Sequence, residues 1–151
     1  MKIRAAHEDD LDLLTDLLKQ LFSIEEDFVF AVYKQKRGLQ LLLGSSMARI
    51  LVAEKSGAVV GMVTGQLVIS TAEGELSLLV EDLIVDRQQR RNGIGTRLLQ
   101  TVGDWAKQRG ARRMQLLADL ENIQALDFYE KAGWARTNLV CLRNYIRDKN
   151  S

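Results

Sequence analysis

From Leu78 to Arg97 the chain reads Leu-Leu-Val-Glu-Asp-Leu-Ile-Val-Asp-Arg-Gln-Gln-Arg-Arg-Asn-Gly-Ile-Gly-Thr-Arg, an apolar strand that runs through an arginine-glycine turn into an amphipathic helix. Such a turn suits a pyrophosphate. Gly93 and Gly95 let backbone amides approach a ligand closely, the helix start offers unpaired N–H groups and a positive dipole end, and Arg87, Arg90 and Arg91 add full charges. Just upstream, Glu81 and Asp82 interrupt an otherwise apolar run, and adjacent carboxylates in a buried strand are uncommon. Their chemistry would be proton acceptance. Strand alternation sends neighbours to opposite faces, so only one of the pair can face a given site unless a bulge re-aims the other. Each can equally well pair with an arginine or cap a loop.

The elements that would carry these residues follow from periodicity. Lys2 to Ala6 reads as a short strand, and Leu11, Leu14, Leu18, Leu21 and Phe22 form a helical stripe after an N-cap at His7. A second helix is expected from about Glu25, with Phe28, Val32, Leu39 and Leu43 on one side and Gly38 as a point of interruption. From Arg49 the period becomes that of strands: Ile50 to Glu54, Val59 to Ile69 and Leu76 to Val85 make a three-strand meander. Ile94, Leu98, Val102 and Trp105 mark a helix that ends before Gly110, and Met114 to Ala118 is the next strand, which implies a parallel crossover. Ile123 to Lys131 is a further helix, and Trp134 to Arg147 the last strand or strands.

Composition narrows the class. With 151 residues, 46% hydrophobic and 27% charged, the chain suits one soluble domain spanning residues 1–151. No apolar run approaches the roughly 18 to 20 residues needed to cross a bilayer, and the acidic Glu8-Asp9-Asp10 stands where a signal peptide needs its apolar segment. The expectation is a cytoplasmic protein without a membrane partner. A net charge of +1 gives no global pull toward nucleic acid. One cysteine, Cys141, excludes an intramolecular disulfide and reads as a core residue of an apolar strand; one histidine, His7, makes neither a zinc site nor a Ser-His-Asp triad easy to assemble, and no metal is expected. The Gly93-Ile94-Gly95 fragment is not a dinucleotide fingerprint, because Leu98 stands where the third glycine belongs.

The element order and two motifs together resemble the GCN5-related N-acetyltransferase (GNAT) family over nearly the whole chain. Arg90-Arg91-Asn92-Gly93-Ile94-Gly95, after the strand end Leu83-Ile84-Val85-Asp86, is similar to that family's acyl-CoA signature. Asn122, Ala125 and Phe128-Tyr129-Glu130-Lys131-Ala132-Gly133-Trp134 resemble its downstream segment, with Trp134 in place of the usual phenylalanine. The resemblance implies an α/β fold, a mixed and mostly antiparallel sheet with a parallel crossover at the coenzyme site and helices on both faces.

It also implies acetyl-CoA as cosubstrate. The amides of Arg91 to Thr96 would take the pyrophosphate, the backbone at Leu83, Ile84 and Val85 would pair with the pantetheine arm where two strands splay, and Asn122 would bond the arm or serve only as a helix cap. Tyr129 matches the tyrosine near the sulfur, as acid or hydrogen-bond donor to the leaving thiolate. Glu81 would draw the proton off the amine, directly or through water, with Asp82 as substrate or structural partner; some relatives that act on small amines, hexosamine phosphate acetyltransferases among them, carry a similar pair. The implied reaction is direct acetyl transfer to a primary amine in a ternary complex, and the alternative is a non-catalytic acyl-CoA sensor. A homodimer is expected by analogy. For the acceptor the cues oppose one another: Glu25, Glu26 and Asp27 favour a cationic amine, and Lys34, Lys36 and Arg37 an anionic one.

Overall fold

The computed structural model describes residues 1–25 and 27–146. Glu26, one of the acidic acceptor cues, and Arg147, at the end of the expected last strand, lie outside these residues. The chain forms two compact units, Met1–Leu116 and a second beginning at Leu117.

In the first unit the sheet order is β1 (Lys2–Ala5), β2 (Ala48–Lys55), β3 (Ala58–Ser70), β4 (Glu75–Val85) and β5 (Ala111–Gln115). The first four strands pair antiparallel and β5 runs parallel to β4. The parallel step is made by the crossover helix α3 (Ile94–Gln108). On β3, a Cβ at Gly61 would touch Leu98 and Ile94, and one at Gly65 would touch Leu78 and Val102, so α3 covers the face that carries these glycines. The opposite face is covered by α1 (Leu11–Ile24) and α2 (Val32–Leu43). There Leu14, Leu17, Leu18, Leu21 and Leu39 bury against Ile50, Val52, Met62 and Ile84. Each such leucine contributes about 1.5–3 kcal/mol of burial, as an upper estimate. This is the mixed sheet with helices on both faces that the sequence implies.

Helix α1 follows a short 3-10 turn, Glu8–Asp10, at which the His7 backbone N–H donates to the Asp10 carboxylate over 2.7 Å. Arg4 ties that carboxylate to the sheet, with ion pairs of 2.8 Å to Asp10 and 2.9 Å to Glu54.

Five expectations are corrected. Helix α2 begins at Val32, later than Glu25, because Phe28 and Phe30 leave the helical path and pack on the Phe22 ring at 6.4 and 6.2 Å. Gly38 does not interrupt α2. Strand β5 covers Ala111–Gln115, earlier than Met114 to Ala118, because its ladder to β4 ends at the Leu79 and Gln115 pair. Residues 134–146 form no strand: apolar alternation suits a strand, but a strand exists only where a neighbour completes its hydrogen bonds, and none is paired there among the described residues. Cys141, expected in the core of that strand, is consequently exposed.

The second unit holds α4 (Ile123–Lys131), with the bounds its periodicity predicts. Asn122 caps it, its side-chain oxygen accepting from the Ala125 N–H over 3.2 Å.

Candidate functional site

The two carboxylates share a face, and a β-bulge is the reason. On β3 and β4, Met62 stands opposite Ile84 while Thr64 stands opposite Glu81, so the ladder gains one residue on β4 between these pairs. Asp82 absorbs the slip with a left-handed backbone, φ +52°. A bulge of this kind turns the strand locally and re-aims a side chain. The Thr64 hydroxyl, on the face opposite α3, donates to Asp82 Oδ2 over 3.0 Å.

Glu81 and Asp82 therefore line one cleft of about 410 Å³, with walls from α1, α2, the turn after α2, and β3. Leu18, Phe22, Leu39, Leu42, Met47 and Leu67 supply its apolar side, and Lys34, Gln35, Ser45 and Gln66, with the two carboxylates, make the lining about equally polar. Glu81 opens to solvent on one side. Protein around the rest of its carboxyl, and then the neighbouring Asp82 charge, push its pKa above the ordinary carboxylate value. Burial also pushes Asp82 upward, against the opposing pull of the Thr64 hydrogen bond. A carboxylate raised in this way is a better proton acceptor than one in free solution.

Beyond the cleft, β4 continues past its last partner on β5. The parallel ladder stops at Leu79, whereas the strand runs to Val85, so the edge at Leu83 and Ile84 is free of β5 ladder bonds. The Val85 carbonyl is taken by the Arg90 guanidinium, Nε to oxygen 3.0 Å, which fastens the following turn to the strand end. Asp86 holds the same turn, its carboxylate accepting from the Gln88 N–H over 3.0 Å.

The turn itself is built to expose amides. Arg91 and Gly93 both have left-handed backbones, φ +69° and +76°, and Gly93 is the N-cap of α3. The first helical bond closes from the Arg97 N–H to the Gly93 carbonyl over 3.1 Å, which leaves the amides of Ile94, Gly95 and Thr96 as helix-start donors. Arg87, Arg90, Arg91 and Arg97 are all exposed around them. Left-handed residues set among others at a helix start make an anion-binding concavity. Asn92 lies within this turn.

In the second unit, Tyr129 packs its ring at 5.3 Å from Phe128 and 5.9 Å from Trp134. Asn122 performs the capping role that the sequence left open beside ligand binding. Sequence reasoning missed Thr64, which is wholly buried; the available signal was a hydroxyl within the mostly apolar run from Val59 to Ile69. Among the described residues no group of three His, Cys, Asp or Glu is placed to hold a metal. No helix there is long and apolar enough to cross a membrane.

The mixed sheet with its crossover helix recurs in known proteins. The Acetyltransferase (GNAT) family matches residues 12–134, and the chain belongs to that family. An uncharacterised N-acetyltransferase of Methanocaldococcus jannaschii is 32% identical over 91% of this chain and 62% of its own length. A Xenopus tropicalis relative named camello is 35% identical over 71% of this chain and 48% of its own. The chain thus spans about half to three fifths of the length of these relatives. The crystal structure of a possible acetyltransferase from Clostridium difficile superposes with a TM-score of 0.86 at 21% identity, covering 97% of this chain and 98% of the other.

Proposed function

We propose that this chain transfers an acetyl group from acetyl-CoA to a primary amine by direct attack in a ternary complex. The observation that carries the reading is the bulge at Asp82, which gathers two raised carboxylates in one cleft immediately before the open edge of β4 and the amide-rich turn. The turn from Arg90 to Thr96 holds the pyrophosphate, and the edge at Leu83 to Val85, with Asn122, holds the pantetheine arm. The amine enters as an ammonium and gives a proton to Glu81 or, through it, to water. Its nitrogen lone pair then attacks the thioester carbon, the C–N bond forms, the C–S bond breaks, the thiolate takes a proton from the Tyr129 hydroxyl, and the second proton shed by the acylated nitrogen restores that hydroxyl through water. A phenol of reference pKa about 10 can protonate or hydrogen-bond a thiolate of intrinsic pKa about 8.5 at little cost. Asp82 shapes the bulge and the amine end of the cleft. A homodimer and residence in the cytoplasm accompany this reading.

The test is CoA release from acetyl-CoA over a broad panel of primary amines. Turnover that falls at least a hundredfold in Tyr129→Phe and at least tenfold in Glu81→Gln, with acetyl-CoA affinity kept, supports it. Tight acetyl-CoA binding without release of CoA for any acceptor replaces it with a non-catalytic acyl-CoA sensor.

A further inference from the structure

Helix α2 carries a glycine that its own fold does not need. Gly38 lies inside Val32–Leu43, away from both ends, with no left-handed φ to require it. A Cβ placed there would meet nothing within 4 Å. Other glycines have their reasons: a Cβ at Gly65 would come within 2.9 Å of Leu78 and 3.0 Å of Val102, and Gly57, Gly74, Gly93, Gly110 and Gly133 have positive φ. Alanine at position 38 would stabilise the helix relative to glycine. The helix therefore gains nothing from Gly38, and the cleft does, because Gly38 lines the same wall as Leu39 and Leu42, within the cavity that holds Glu81 and Asp82.

We infer that Gly38 sets the acceptor specificity of this cleft: its missing side chain leaves room for the body of an amine that lies against the α2 backbone, with its nitrogen at the carboxylates. The walls say what that body is. Phe22, Leu42 and Met47 offer an apolar strip to one side of that body, over a floor of the buried Leu18, Leu39 and Leu67, while Gln35, Ser45 and Gln66 leave the other side polar. Lys34, one helical turn earlier on the same wall and without an ion pair among the described residues, repels a second ammonium from that end. The acceptor class is a primary monoamine on an apolar, aryl-sized body. This deepens the transfer reading above, and it rests on that reading for the identity of the reacting nitrogen.

The experiment is calorimetric titration of the CoA-saturated chain with propylamine, phenethylamine and tryptamine, in wild type, Gly38→Ala and Gly38→Leu. The expected result is a dissociation constant for phenethylamine and tryptamine that rises at least tenfold in Gly38→Leu and to a lesser degree in Gly38→Ala. Propylamine and CoA should stay within threefold throughout, and Gly38→Ala should melt no lower than wild type. Failure of the aryl amines to bind wild type, or affinities within twofold across all three chains, overturns the inference. The two readings fail separately: Gly38-dependent amine binding without CoA release from acetyl-CoA removes transfer and leaves the cleft, whereas CoA release indifferent to residue 38 removes this inference and leaves transfer.

Discussion

The Thr64 hydroxyl donates to the Asp82 carboxylate over 3.0 Å, across a ladder that slips by one residue between their strands. That bond holds a left-handed aspartate in place. Asparagine and aspartate tolerate φ near +52° far better than most residues, and an asparagine side-chain oxygen can still accept from Thr64. The bulge is thus a feature of both shape and chemistry, and the two can be separated by substitution.

Asp82→Asn should keep the bulge and melt no lower than wild type at pH 7. Asp82→Val, β-branched at a positive φ and unable to accept from Thr64, should lose about 2–3 kcal/mol in urea denaturation. Equal stability of the two variants would mean that the left-handed backbone is not what the position demands.

The sign of the pH dependence at Asp82 is set by burial. Its pKa is raised in the folded chain, so the folded state binds more protons than the unfolded one between the ordinary aspartate value and the raised one. Stability from this group is full below the unfolded pKa and is lost as pH rises through the folded one. Asp82→Asn should remove that loss, so that its stability relative to wild type increases from pH 4 upward and then levels. Parallel denaturation curves for the two chains at each pH would contradict the raised pKa.

For transfer, the acid limb of kcat/KM should follow Glu81, whose pKa is raised first by burial and then by the Asp82 charge. Replacing Asp82 with asparagine removes the second cause and should move that limb to lower pH, while Glu81→Gln should flatten it. A limb unmoved by either change would assign the proton to ordered water.

What the sequence made legible is what residue type alone determines. Glycines and arginines at 90–97 describe a turn that exposes amides under local rules, and the helix start at Gly93 follows them. The carboxylate pair could be seen, but not that both would face one cleft, because the bulge depends on the register that β3 imposes on β4. Residues 134–146 show the converse: Leu139, Val140, Leu142 and Ile146 carry an apolar pattern, yet they remain exposed, since pattern supplies no ladder partner. Gly38 was read as a break in a helix because a glycine's local effect is visible in sequence and the cavity beside it is not.

Gly93 offers a test of the turn that is independent of the carboxylates. A Cβ there would meet nothing, so Gly93→Ala is penalised through φ +76° alone, by about 1–2 kcal/mol. The amides that follow would tilt with it. Acetyl-CoA affinity should fall about tenfold, with the loss persisting at high salt because the exposed arginines are unchanged; an affinity loss that disappears with salt would point to charge in place of amide geometry.

Asp10 should respond to pH in the opposite sense from Asp82. The Arg4 guanidinium, and secondarily the His7 backbone N–H, hold this buried carboxyl below its ordinary value against the cost of burial. Its stability is therefore present above the unfolded pKa and lost as pH falls through the folded one. Removing Arg4 leaves Asp10 buried with a charge and only the backbone donor, and leaves Glu54 without its 2.9 Å partner. Because Arg4 is itself largely covered, Arg4→Met should cost about 2–3 kcal/mol at pH 7. The deficit should shrink as pH is lowered toward 3, since in Arg4→Met the unpaired Asp10 takes up a proton and no longer carries a buried charge. Melting of wild type and Arg4→Met between pH 3 and 8 checks this, and a deficit that is constant across that range would show that Arg4 acts through the packing of its stem, with no part played by its charge.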